Sequence, residues 1–315
     1  MENINVLITG VAGNIGSSLA KALLNNEKIN VIGIDNFLTG SRSNVETIKS
    51  NKFNFIKADV NNYNDISAIM LSRKIEYVYH YAAVVGVRRT LDNPLSVLQD
   101  LDGIRNILSL SRCIGVKRVF FSSSSEVYGE STNFPQNELN TPLNSRLPYA
   151  IVKNVCESYL RSFEQEYNLK YTIFRFFNTY GPRQTRDFVI PHFIDLALKG
   201  KPLSVYGDGK QTRTFLFIDD NIETTIKCLN ENLLINDVLN IGSPHEVTIK
   251  ELAEIIIDTT KSKSKIVYHP VLPEGDMSRR QPDNSKMMAI LGRPLVSLEE
   301  GLLRTTEWLR SNSEN

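Results

Sequence analysis

The stretch INVLITGVAGNIGSSLAKALLNN, residues 4–26, holds the reading on which the fold turns. Its first six residues make a β-branched apolar run, the composition of a strand buried on both faces. From residue 14 the apolar side chains recur at helical spacing. Between the two, Gly10, Gly13 and Gly16 suit a backbone that turns tightly, admits a close-lying pyrophosphate and packs helix against strand. Glycine turns are common, so the triplet alone says little. Asp35 sharpens it, because it closes the next apolar run, NVIGI (30–34), 19 residues after Gly16. A carboxylate there accepts hydrogen bonds from an adenosine ribose and repels a 2′-phosphate, which favours NAD over NADP. Asp59, after the third run FNFIKA (53–58), is a further candidate, facing the adenine.

Working outward, EYVYH (76–80), RVFFSS (118–123) and YTIFRF (171–176) are further strand-like runs, with helical stretches at 94–113 and 149–167. Alternation of continuous apolar strands with helices predicts an α/β chain: a doubly wound parallel sheet covered on both faces, with ligands at the carboxyl ends of the strands. Past residue 177 the pattern loosens into Gly-, Pro- and Arg-rich segments. The expected division is a dinucleotide-binding domain over 1–177 and a smaller C-terminal substrate-binding region over 178–315, with segments near 213–242 rejoining the first.

The charges, 36 basic against 35 acidic residues, show no like-charge block, so a nucleic-acid or membrane surface is not expected. No run approaches the ~20 apolar residues of a membrane helix, and MENINVLITG is too short an apolar stretch for a signal peptide. Cys113, Cys156 and Cys228 have no metal or redox spacing and read as buried, reduced thiols of a cytoplasmic protein. No metal is expected. His80 ends its strand and reads as a hydrogen-bonded core histidine; Met287, Met288, Phe176 and Phe177 read as packing.

The chemistry gathers after the fifth strand. In FFSSSSEVYGE, Ser124 and Glu126 fall just past the strand end, where a parallel sheet presents side chains to a ligand. In LPYAIVKN (147–154), Pro148 suits the first helical turn and sets Tyr149 and Lys153 on one helix face. An ammonium beside a phenol favours phenolate, which makes Tyr149 a usable general base for a substrate alcohol.

With these residues the chain resembles the extended short-chain dehydrogenase/reductases of the NAD-dependent nucleotide-sugar epimerase/dehydratase/decarboxylase group. The likeness runs through TGVAGNIG, GIDNFLTG, YHYAAVVGV, SSSSEVYGE, YAIVK, FRFFNTYGPRQ, VYGDGKQTRTF and EGDMSRRQPD. It implies a Rossmann-like fold and a homodimer. It also implies that Ser124 bonds the sugar 4′-oxygen, Tyr149 is the base, and Lys153 activates Tyr149 and holds the nicotinamide ribose. Asn36 joins Asp35 and Asp59 as a cofactor contact. Asn178 and Arg213 would hold a nucleoside diphosphate, with UDP the expected nucleotide. Val205 and Tyr206 would flank its base, and Arg88 and Arg280 would approach the sugar. Departures from the family pattern are Val11 and Asn14 in the glycine loop, Asp100 where an Asn is usual, and Val152 before the lysine.

The group shares oxidation at the sugar 4′-carbon; the second step differs. A carboxylate at Glu126 suits decarboxylation or 4,6-dehydration, and RQPD (280–283) resembles the motif of UDP-glucuronate decarboxylases, which is the favoured expectation. AAVVGVRRTLDNP (82–94) leans instead toward a UDP-hexose 4-epimerase, acting on glucose, N-acetylglucosamine or glucuronate. Ser125, where dTDP-glucose dehydratases carry Asp, weakens the dehydratase alternative. A non-catalytic dinucleotide-binding regulator is the alternative from another class; the intact Ser-Tyr-Lys set argues against it.

Overall fold

A computed structural model describes residues 3–270 and 279–312 of the 315; the side chains of Val87, Arg88 and Leu91 lie outside the description. Part of EGDMSRRQPD, residues 274–278, and the side chain of Arg88 therefore lie outside the described residues.

The elements run β1 (Ile4–Thr9), α1 (Asn14–Leu23), β2 (Ile29–Asp35), α2 (Arg42–Glu46), β3 (Phe53–Lys57), α3 (Tyr63–Leu71) and β4 (Tyr77–His80). There follow α4 (Val87–Asp92), α5 (Pro94–Leu98), α6 (Asp100–Ile114), β5 (Arg118–Ser124), a 3₁₀ turn (Ser125–Tyr128), α7 (Pro148–Tyr167) and β6 (Lys170–Phe176). The remainder is β7 (Thr179–Tyr180), α8 (Val189–Leu198), β8 (Leu203–Tyr206), β9 (Thr212–Thr214), β10 (Leu216–Phe217), α9 (Ile218–Asn230) and β11 (Asp237–Ile241). It ends with β12 (Glu246–Thr248), α10 (Ile249–Thr260), β13 (Ile266–His269), α11 (Ser285–Leu291) and α12 (Leu298–Asn312). The expected helix 94–113 is broken at Gln99 into α5 and α6.

The chain divides into two compact units. The first comprises residues 1–129, 143–176 and 224–239; the second comprises 130–142, 177–223 and 240–315. The returning segment is thus 224–239, and 130–142 goes with the second unit.

The first unit is built on a seven-stranded sheet of order β11-β6-β5-β4-β1-β2-β3. β1 pairs in parallel with both β2 and β4, so the winding reverses at β1. That reversal is the topological switch point at which such sheets bind ligands. Strand side chains alternate between two buried faces. Val119 and Phe121 of β5 join a core with Ile66, Met70, Ile104, Ile107, Val152 and Leu160 from α3, α6 and α7. Phe120 points the other way, stacking at 4.4 Å on Tyr79 and 6.0 Å on Phe174. Burying each such large apolar side chain contributes roughly 1.5–3 kcal/mol, which explains the unbroken apolar runs.

Helix ends follow local chemistry. Asn62 caps α3 by accepting from the Asn64 N–H, Gly115 ends α6 and Asn168 ends α7, both with positive φ. In the second unit, Thr248 and Glu251 cap α10 reciprocally. That unit holds short two-stranded pairings: β7 with β10, β8 with β13, and β9 antiparallel with β12. Among the described residues no helix is long and apolar enough to cross a membrane, and no cluster of side chains could hold a metal ion.

Cys156 and Cys228 are buried as expected, but Cys113 is exposed. It lies in the last turn of α6 beside the exposed Arg112, a distinction that spacing to other cysteines does not carry. Burial pushes the Cys156 and Cys228 thiols up to about 12, which keeps them protonated and inert.

Candidate active site

The glycine loop after β1 has the shape its sequence implied. Gly10 has φ +72°, and a Cβ there would lie 2.7 Å from the Ala82 backbone nitrogen. A Cβ on Gly16 would strike the Gly10 carbonyl. Gly13 occupies the N-cap of α1 with extended backbone. Val11, where a glycine is common, is fully buried. Its two methyl groups fill the space beneath Gly33 of β2, where a Cβ would meet them at 2.8 and 2.9 Å. The Asn14 amide at the start of α1 is enclosed and has no hydrogen-bond partner among the described residues.

Asp35 ends β2 and is buried. Its Oδ2 accepts from the Ala12 N–H at 2.9 Å and its Oδ1 from the Phe37 N–H at 2.7 Å. Burial raises its pKa and these two bonds hold it down. The carboxylate thereby ties the glycine loop to the end of β2, while each oxygen keeps a second lone pair. Asn36 donates to Asp59 Oδ2 at 3.1 Å, and Asp59 also accepts from the Asn61 N–H at 2.9 Å. The uncapped α1 N-terminus, the orphaned Asn14 amide and the acid beside the loop fit a dinucleotide bound through its pyrophosphate and ribose.

β5 and α7 bring the reactive side chains. Ser124 is buried at the strand end, and its Oγ accepts from the Glu126 N–H at 3.2 Å, capping the 3₁₀ turn. That bond uses a lone pair and leaves the hydroxyl hydrogen for another acceptor. Glu126 is half-buried inside the turn. Pro148 opens α7, as its fixed φ favours. Tyr149 is half-buried against the core, and Lys153, 3% exposed, lies one helical turn on. The Lys153 Nζ donates to the Ser122 carbonyl at 2.7 Å and lies 4.8 and 5.7 Å from the ring centres of Phe121 and Tyr149. Burial lowers the Lys153 pKa, and the charge of Asp100 opposes that.

Asp100, in the family's asparagine position, heads α6 with Oδ2 accepting from the Val84 N–H at 2.8 Å and Oδ1 from Asn61 Nδ2 at 3.5 Å. Burial raises its pKa; the Val84 bond and the charge of Lys153 lower it. His80 is a core residue, sharing a 2.8 Å hydrogen bond with Thr9 Oγ1, and burial followed by the Lys153 charge lowers its pKa to about 3. Thr9 also accepts from the Tyr81 and Ala82 N–H groups at 3.1 Å. Neither Thr9 nor the Ser122 carbonyl was singled out in the sequence, since one is a strand residue and the other a backbone atom.

In the second unit, Asn178 has φ +35° and donates from Nδ2 to the Thr214 carbonyl at 2.9 Å. Arg213 lies in β9, buried, with Nη1 donating to the Thr212 carbonyl at 2.7 Å. Val205 is fully buried, while Tyr206 is 43% exposed. Arg280 is 6% exposed. Its neighbour Arg279 is instead at the surface, gripping Glu246 at 2.7 and 2.9 Å.

Comparison with known proteins gives these arrangements a setting. The NAD dependent epimerase/dehydratase family matches residues 6–242. A UDP-N-acetyl-alpha-D-glucosaminuronate decarboxylase from Bacillus cytotoxicus is 38% identical over 96% of this chain and 97% of its own. The crystal structure of UDP-glucose 4-epimerase with UDP-glucose from Thermotoga maritima superposes with a TM-score of 0.91 at 31% identity, covering 98% of this chain and 100% of that one. DesIV, a dTDP-glucose 4,6-dehydratase from Streptomyces venezuelae with NAD bound, gives 0.91 at 29% identity, covering 99% and 98%. The three are named for three different reactions, each on a nucleotide sugar. The chain belongs to the NAD-dependent epimerase/dehydratase family.

Proposed function

We propose that the protein decarboxylates a UDP-linked uronic acid through a 4-keto intermediate. The Gly10–Gly16 loop and Asp35 would hold NAD, which would supply a reversible hydride acceptor for the sugar 4′-carbon. Tyr149 removes the 4′-hydroxyl proton, with the Lys153 ammonium stabilising the phenolate. Ser124 donates its free hydroxyl hydrogen to the same oxygen. The resulting β-keto acid loses carbon dioxide by breaking the C5–C6 bond, the electron pair passing into an enolate that takes a proton at C5. Glu126 positions the sugar during this step, and Tyr149 finally returns its proton to the 4′-oxygen. Asn178 and Arg213 would hold the diphosphate, and the exposed Tyr206 ring suits stacking on the uracil. Asn36 and Asp59 would serve the adenosine end of the cofactor.

The observation that carries the choice of a uronic acid is the burial of Arg280 beside the exposed Arg279. A guanidinium kept out of water suits a carboxylate as its partner. The 38% identity to a decarboxylase of a uronic acid supports the same reading. Four-epimerisation is the second reading, supported by the likeness to the Thermotoga maritima enzyme and by the AAVVGVRRTLDNP segment. Incubation with UDP-glucuronate, UDP-glucose, UDP-N-acetylglucosamine and dTDP-glucose, followed by proton NMR, separates them. The proposal expects loss of the uronate carbon; inversion at C4 with that carbon retained selects epimerisation, and a new C6 methyl selects dehydration.

We also propose a homodimer as the working form. Leu95, Leu98 and Ile151, on α5 and α7, are exposed at 76%, 40% and 40%. Light scattering that returns the mass of one chain at micromolar concentration contradicts this.

A further inference from the structure

Four polar side chains of the first unit form a buried network that the reaction scheme does not use. Arg175 of β6 grips Glu157 of α7 with two hydrogen bonds, Nε to Oε1 at 2.9 Å and Nη2 to Oε2 at 2.8 Å. Its Nη1 donates to Tyr128 Oη at 2.9 Å, and its Cζ lies 4.9 Å from the centre of that ring. Ser123 Oγ donates to Glu157 Oε1 at 2.7 Å. The four residues are between 0% and 3% exposed. Arg161, on the outer side of α7, adds a 3.1 Å bond to Glu157 Oε2.

Three of the four adjoin a reactive residue. Ser123 precedes Ser124, Tyr128 follows Glu126 by two positions inside the same turn, and Glu157 lies four residues after Lys153 on α7. The network therefore fastens the end of β5 and its turn to the helix bearing the base, through one carboxylate and one guanidinium. Burial works against the charge of Arg175, and the bond and charge of Glu157 more than offset it, so the guanidinium stays charged. A buried ion pair is weak evidence of stabilisation, since well-packed apolar residues often serve a fold as well or better. What an ion pair of this shape supplies is direction: two parallel bonds fix the guanidinium plane, and its third side fixes Tyr128.

We infer that Glu157 and Arg175 are positioning residues, which set Ser124 and Glu126 at their working distance from Tyr149 and Lys153. This deepens the reaction proposed above and rests on it for its activity readout. The test uses the NAD-bound full chain and two variants. Glu157→Met combined with Arg175→Met removes the pair while filling its volume; Tyr128→Phe removes only the hydroxyl that accepts from Arg175 and leaves the ring.

The double variant should keep its melting temperature and its NAD, with kcat down on the order of 10–100-fold and KM little changed, the size expected of a misplacement near 1 Å. Tyr128→Phe should lower kcat by roughly 3–10-fold on the same ground. Hydrogen exchange at the Glu126 and Gly129 amides, which bond to Ser124 Oγ and the Glu126 carbonyl, should quicken in both while β1 amides are unchanged. Wild-type kcat with unchanged exchange in the turn overturns the inference. So does a loss of kcat accompanied by equally faster exchange throughout β1, which assigns the pair to global stability. A wild-type protein inert on every sugar nucleotide counts against the proposed reaction, whereas exchange in the turn, read without substrate, still decides this inference.

Discussion

The two units treat their buried cations differently. In the first, Lys153 and Arg175 are enclosed on α7 and β6, and the same unit supplies their partners, the Ser122 carbonyl and the Glu157 carboxylate. In the second, the buried Arg213 and Arg280 lie on a three-residue strand and in an irregular segment. The surface there is laced with exposed pairs, Arg279 with Glu246 and Arg304 with Glu300. Exposed pairs of that kind are worth little, about 0–1 kcal/mol each. Under the proposed reaction the contrast becomes a division of labour: chemistry would sit on long regular elements, and selection of the sugar nucleotide on short strands and loops, which vary without disturbing the sheet.

The contrast is sharpest at Tyr149. Tyr149→Phe removes the proposed base but not the ring, so turnover should fall by about 10²–10⁴-fold while NAD remains bound. Turnover assays with cofactor quantified after denaturation check it. Turnover near that of the wild type would remove the first unit's claim to the chemistry.

The share proposed for the second unit is smaller and selective. Arg280→Met should lower kcat/KM for a carboxylated sugar by roughly 10–100-fold, the worth of one or two charge-assisted hydrogen bonds, and leave a neutral UDP-sugar nearly unaffected. Equal losses on both sugars would place Arg280 with the nucleotide or with structure.

How far the comparison was visible before the structure follows from its terms. Gly10, Gly16, Asp35, Tyr149 and Lys153 stand at ends or on faces of regular elements, where period and position fix what a side chain can meet. Residue spacing on loops carries no such rule, so Arg213 and Arg280 entered only through likeness to a family. Thr9 was missed because its role lies in bonds to residues some 70 positions away. The buried network did leave a trace: Arg175 is a charge inside the apolar run YTIFRF, which demands a partner. Glu157 repeats the helical step from Lys153, yet nothing in one sequence joins the two. The division of the chain was expected as a loss of pattern past residue 177 with a return near 213–242; the bounds 224–239 and the transfer of 130–142 to the second unit depend on contacts distant in sequence.

Two buried groups of the first unit answer acid in opposite senses. The native His80, with a pKa of about 3, resists protonation that the unfolded chain accepts near 6.5. Stability is therefore lost as pH falls between those values, by roughly 1.4 kcal/mol per pH unit. His80→Gln should be less stable at neutral pH and should flatten that slope in denaturant titrations.

Asp100, its pKa raised, holds a proton in the native state above pH 3.8, where the unfolded chain has released it. Its contribution declines as pH rises through the native midpoint, and Asp100→Asn should remove that decline. An unaltered slope in either variant would assign the pH response to other groups.

The most direct test of the central claim follows one carbon. UDP-glucuronate labelled with ¹³C at C6 should release labelled bicarbonate with the wild-type protein and none with Tyr149→Phe. Label retained on a sugar inverted at C4, or released at the same rate by both proteins, would contradict a decarboxylation driven by that tyrosine.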